Sequence, residues 1–103
     1  MQKHTKLYLK ACGYDSTDFI PSEITFQRGI DIHHIISRGK GGEDRIENLM
    51  CLTREQHLCF GDKKDWMYFL LTKHNSFLIQ KNVVFEQAYF DEMLHKYQDT
   101  LCE

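Results

Sequence analysis

Proline is almost missing: Pro21 is the only one in 103 residues. No repeat or low-complexity stretch accompanies it, so a long linker is not expected. The length suits one domain over residues 1–103 with one modest core. No apolar run approaches the ~20 residues of a membrane span, so no membrane contact is expected. The charged start Met1-Gln2-Lys3-His4-Thr5-Lys6 leads into no apolar segment, which argues against a secretory signal. No Cys-x-x-Cys pair occurs among the four cysteines, Cys12, Cys51, Cys59 and Cys102. Without a secretory signal, free thiols are expected rather than two disulfides. A strong excess of charge is missing too. The net charge of -2 argues mildly against a phosphate-rich partner.

Distribution tempers that last point. Arg38, Lys40, Arg45 and Arg54 cluster, and Lys63 and Lys64 follow. Acidic residues gather toward the end (Glu86, Asp91, Glu92, Asp99, Glu103). A basic face on a near-neutral protein predicts weak, salt-sensitive binding to nucleic acid. For Lys63 and Lys64 a solvated helix face is the simpler reading.

Apolar content of 42% and aromatic content of 13% fit a folded globule. Residues 3–11 read as either a short helix or a strand. Ile24, Phe26, Ile30 and Ile32 flank Gln27-Arg28-Gly29, which predicts a β-hairpin with Gly29 at positive φ. Residues 37–47 form a loop that Gly39, Gly41 and Gly42 allow to turn tightly. Asn48-Leu49-Met50-Cys51-Leu52 is a short extended return. Thr53 and Gln56 have the spacing of a capping box, so a helix starts there and Gly61 ends it. Trp66, Phe69, Leu70, Lys73 and Phe77 predict a helix over about 63–80. Phe85, Tyr89, Met93, Tyr97 and Leu101 predict another over about 84–101, and both stripes read as core.

Chemistry concentrates in residues 31–57. His33 and His34 are adjacent on the second predicted strand, so they face opposite sides. His57 falls in the first turns of the predicted helix. Imidazoles from a strand and a helix can grip one divalent ion. An imidazole with an unperturbed pKa near ~6.5 can serve as a base at neutral pH. Asn48 both donates and accepts, so it can fix the loop. Arg38 offers a forked donor to a phosphate oxygen, or is a solvated loop charge; Lys40 and Arg45 are weaker candidates for the same role. His4, His74 and His95 have no partner at this spacing and read as surface or boundary residues. Cys51 and Cys59 read as buried thiols rather than ligands.

The run His33-His34-Ile35, the glycine-bearing loop, Asn48-Leu49, and His57 nine residues after Asn48 together resemble the HNH nuclease signature. The resemblance covers about a quarter of the chain. It implies an α+β fold with a ββα-metal core, here about 24–61, and extra packing helices toward the C-terminus. It implies a DNA endonuclease using one divalent ion (Mg, Mn, Ni or Zn) held by His33 and His57. His34 would be the general base and Asn48 the orienting residue of the catalytic pair. A non-cleaving module that binds nucleic acid or protein, or a nuclease acting on RNA, are the alternatives. Small HNH proteins of this kind are often phage or bacterial, which implies a cytoplasmic setting, and a homodimer or partner protein would suit so small a surface. Many HNH proteins carry two Cys-x-x-Cys pairs on a structural zinc. The matching positions here are Ser22 and Thr25, then Thr53 and Gln56, so no structural zinc is expected. A third ligand, sometimes a histidine one turn after the last, would fall on Gly61; Asp31, Asp62 or water could take its place.

Overall fold

A computed structural model describes residues 2–100. The ambiguous start is a helix, α1 (Lys3–Cys12), which ends on Gly13 in the left-handed region at φ 75°. Two short strands, β1 (Asp31–His34) and β2 (Leu49–Leu52), pair antiparallel with His33 opposite Met50 and His34 opposite Leu49. Helix α2 (Arg54–Phe60) follows at once. Helices α3 (Met67–Gln80) and α4 (Gln87–Lys96) complete the order. This is the expected α+β arrangement, a ββα unit with further helices after it.

The hairpin is not where hydrophobic alternation placed it. Ile24–Phe26 and Ile30–Ile32 do not pair as strands; one isolated bridge, Pro21 to Arg28, closes that turn. β1 pairs instead across the 37–48 loop, because Leu49, Met50, Cys51 and Leu52 are all fully buried and outcompete Phe26 and Ile30, each 65% exposed. Positive φ falls on Phe26, at 64°, not on Gly29. Gly29 is needed for another reason: a Cβ there would lie 2.1 Å from Cys51 Sγ.

The predicted helix over 63–80 divides into a 3-10 turn (Lys64–Trp66) and α3. Its buried stripe is Met67, Leu70, Leu71, His74 and Leu78, rotated from the aromatic stripe, whose Phe69 and Phe77 pack at the core margin. Asn82 at φ 58° turns the chain after it. The last predicted helix is shorter than 84–101. The Glu86 N–H donates to Glu47 Oε2 at 2.8 Å, fixing the chain outside the helix, and Leu101 lies beyond the described residues. Two histidines are also corrected. His74 is fully buried and His4 is 9% exposed; only His95 is at the surface. Cys51 is buried as expected, whereas Cys59 is exposed, because it lies on the outer side of α2.

Ser22, Thr25, Thr53 and Gln56, the positions matched above to zinc-binding cysteines, meet here through hydrogen bonds. Ser22 Oγ–H donates to Gln56 Oε1 at 2.5 Å, and Gln56 Nε2 donates to Thr25 Oγ1 at 2.9 Å. Thr53 N donates to Gln56 Oε1, and Gln56 N to Thr53 Oγ1, closing the capping box. Gln56 thus ties the loop before β1 to the start of α2, the same two segments that a zinc would join. Gln56→Ala strands the buried Ser22 hydroxyl and removes half the cap. It should cost about 1–3 kcal/mol, read as a fall in the urea midpoint at constant m-value.

Candidate metal and phosphate site

β1 presents its histidines to two neighbours. His33 faces α2, with its ring centroid 4.6 Å from that of His57. His34 faces α1, with its ring 4.5 Å from that of His4. One cleft of about 290 Å³ reaches both, walled by His33, His57 and Asp62 on one side and by His4, Ser37 and Arg38 on the other.

The first wall is a candidate ligand set. Nitrogens of His33 and His57 and a carboxylate oxygen of Asp62 lie within 4.8 Å of one another. His33 Nε2 is buried and has no hydrogen-bond partner, a costly state for a polar atom unless something else meets it. Burial, with His57 beside it, pushes the His33 pKa down to about 4, so the ring is neutral and its lone pair available at neutral pH. His57 Nδ1 lies 3.0 Å from Asp31 Oδ2, and Arg54 pairs with the same carboxylate at 2.9 Å. A carboxylate behind an imidazole fixes which nitrogen faces a metal. Two imidazoles and one carboxylate fit a single divalent ion.

Gly61 explains why no third histidine stands here. A Cβ at Gly61 would lie 2.5 Å from the His57 carbonyl oxygen and 2.6 Å from its ring. The next residue brings a carboxylate to the group instead: Asp62 adopts φ 58°, turning out of α2 beside His33 and His57. Of the two acidic stand-ins, Asp62 joins the ligand group and Asp31 stands behind His57.

The second wall holds His34. Its Nε2 lies 2.7 Å from Asp44 Oδ1. Arg38 Nη2 donates to both oxygens of Asp44, at 3.0 and 3.1 Å. The hydrogen bonds from His34 and Arg38 hold the Asp44 carboxyl below the usual carboxylate range. An ionised carboxylate only accepts, so His34 carries its proton on Nε2, and Nδ1 remains to take another. Asp44 gave no sign in the sequence beyond its place in the glycine loop, and only the fold brings it to His34.

Asn48 is fully buried at the base of this wall. Its Nδ2 donates to the carbonyls of Ile36 and Glu43 at 3.0 Å each, and its Oδ1 accepts from the Ile36 N–H at 2.8 Å. Tyr89 Oη–H also donates to Asn48 Oδ1 at 3.3 Å; the other bonds go to the loop backbone, so Asn48 sets the course of the chain leaving His34. Arg38 lines the cleft and is exposed. Lys40 is exposed on the outer turn and does not line the cleft. Arg45 is not brought there either. Glu47 at 2.9 Å, Glu86 at 2.8 Å and Glu43 at 3.6 Å surround its guanidinium, which lies over the Tyr89 ring. These contacts join the loop to α4.

Residues 20–62 match the profile of the HNH endonuclease family. This segment belongs to that family. The HNH segment contains β1, the glycine loop, β2, α2 and Asp62, hence every ligand atom of the first wall and both His34 and Asp44 of the second. α1, α3 and α4 lie outside it. No curated protein and no solved structure matches the chain. Among the described residues, no helix is long and apolar enough to cross a membrane.

Proposed function

We propose that the chain is a metal-dependent endonuclease that hydrolyses DNA phosphodiester bonds. The observation that supports this best is the convergence of His33, His57 and Asp62 on the cleft that His34 also lines. A scissile phosphate in that cleft lies between a ligand triad and a base. His34 Nδ1 takes a proton from water, and the water oxygen forms a bond to phosphorus. The bond from phosphorus to the 3′ oxygen breaks, and that oxygen takes a proton from solvent, leaving a 5′ phosphate and a 3′ hydroxyl. Asp44 holds His34 in the tautomer this needs and favours the imidazolium that forms. Arg38, exposed and lining the cleft, has further N–H donors for a phosphate oxygen beside those spent on Asp44. One divalent ion held by His33, His57 and Asp62 supplies Lewis-acid stabilisation of the charge that builds on the phosphate and leaving oxygen.

Supercoiled plasmid incubated with the protein should be nicked in Mn²⁺, Ni²⁺, Mg²⁺ or Zn²⁺ and remain intact in EDTA. Intact plasmid with every metal, from folded protein, would reject the reading in favour of a non-cleaving module. Faster cleavage of an RNA of the same sequence would move the substrate class to RNA. The carboxylate behind His57 has its own expectation. Asp31→Ala should weaken Mn²⁺ or Zn²⁺ binding about 10–100-fold, measured by calorimetry; unchanged affinity would leave Asp31 only its pair with Arg54.

A further inference from the structure

Among the described residues, two buried side-chain polar atoms have no hydrogen-bond partner, His33 Nε2 and His4 Nδ1. Both belong to residues lining the one cleft. A metal ion in the proposed site would meet the first. The second lies on α1, outside the segment that matches the HNH family, and no step above uses it.

His4 occupies the buried stripe of α1 with Tyr8, Leu9 and Cys12. An apolar side chain would fill that position without stranding a nitrogen. What His4 provides is a flat ring tilted 50° against the ring of His34, at 4.5 Å. Burial, and then the charges of His34 and Arg38, lower the His4 pKa, so the ring against His34 is neutral. His34 is therefore held at its edge by Asp44 and on its face by His4. Asp44 holds the Nε2 end of the imidazole, and the His4 ring packed against it limits its swing about the Cβ–Cγ bond.

We propose that His4 is a positioning residue for His34, so that α1 is part of the active site although it lies outside the HNH segment. This rests on the nuclease reading for its kinetic consequence. A base displaced by a fraction of an ångström loses rate without losing substrate or metal. His4→Ala should lower kcat about 10–100-fold with KM and Mn²⁺ affinity unchanged. His4→Phe, which keeps a flat ring, should restore kcat to within about threefold of the wild type.

A second readout does not need activity. In NMR relaxation of the His34 ring, the imidazole should be rigid in the wild type and in His4→Phe and mobile in His4→Ala, with the Nε2–H tautomer that Asp44 sets kept in all three. Wild-type kcat in His4→Ala, equal losses of kcat and metal affinity, or an alanine-like His4→Phe would each overturn the proposal. So would His34 ring relaxation unchanged by His4→Ala. Failure of the wild type to nick DNA overturns the nuclease reading instead, and the relaxation then decides the role of His4 alone.

Discussion

Replacing His34 by alanine should lower the rate of plasmid nicking about 10²–10⁴-fold, the usual contribution of a positioned general base, while Mn²⁺ still binds. The two effects separate because β1 sends its two histidines to different walls. His33 is part of the ligand triad, with its ring against His57. His34 is tied to Asp44 and packed on His4 and contributes no ligand atom to the triad. His57→Ala should therefore abolish both metal binding and nicking, whereas His34→Ala should abolish nicking alone. Loss of His34 leaves Asp44 still paired to Arg38 at 3.0 Å, so no charge is stranded and the fold should hold. Calorimetric titration with Mn²⁺ beside the nicking assay reads both. Equal nicking by His34→Ala and wild type would remove His34 from the base role. Loss of Mn²⁺ affinity in His34→Ala would mean that the two walls are one.

The placement of the candidate site histidines was legible because their spacing is set by local geometry. Adjacent residues on a strand face opposite ways, so His33 and His34 had to serve different walls. The Thr53 and Gln56 capping box fixed the start of α2, which put His57 three residues into a helix. Side chains that depend on meetings across the chain were not legible. Asp44 is ten residues from His34, and nothing in the loop composition says that it turns back. The hairpin was misplaced because Phe26 and Ile30 alternate like strand residues, whereas the pairing was decided by the burial of Leu49–Leu52 under the helices. For the third ligand the sequence left Asp31, Asp62 or water open. The left-handed turn at Asp62 brings its carboxylate to His33 and His57, a backbone feature that no side-chain pattern announces. His4 and His74 read as surface or boundary residues because neither has a partner at the motif spacing. Both are buried against partners distant in sequence.

His74 carries the second large expectation, on stability. It sits on the buried stripe of α3, where its Nδ1 lies 2.6 Å from Glu23 Oε1 and its Nε2 donates to the Ile46 carbonyl at 2.6 Å. Tyr8 donates to the other Glu23 oxygen at 2.6 Å. Both partners of the His74–Glu23 pair have side chains with no exposure. His74→Leu removes the cation and leaves a carboxylate in the core, which should cost about 3–5 kcal/mol. Removing the charge at both ends, His74→Leu with Glu23→Met, should recover much of that loss, because two apolar groups strand no ion. A single His74→Leu cost under about 1 kcal/mol in urea melts would show that the pair does not hold the core.

The pair also sets a pH dependence. Burial alone would lower the His74 pKa; the Glu23 charge and hydrogen bond, with the Ile46 carbonyl and Glu47, outweigh it and raise the value. A raised folded-state pKa makes this stabilisation complete below about pH 6.5, the unfolded value. It is lost as pH climbs through the folded value above that. Wild-type stability should decline on the alkaline side of neutrality, and the decline should be absent from the double variant. Ile46 opens the 3-10 turn (Ile46–Asn48) that delivers Asn48, and Asn48 fixes the loop leaving His34. Loosening His74 therefore loosens the backbone beneath the base. Nicking should fall at alkaline pH in step with the urea midpoint, and a rate that holds while stability falls would uncouple α3 from the site.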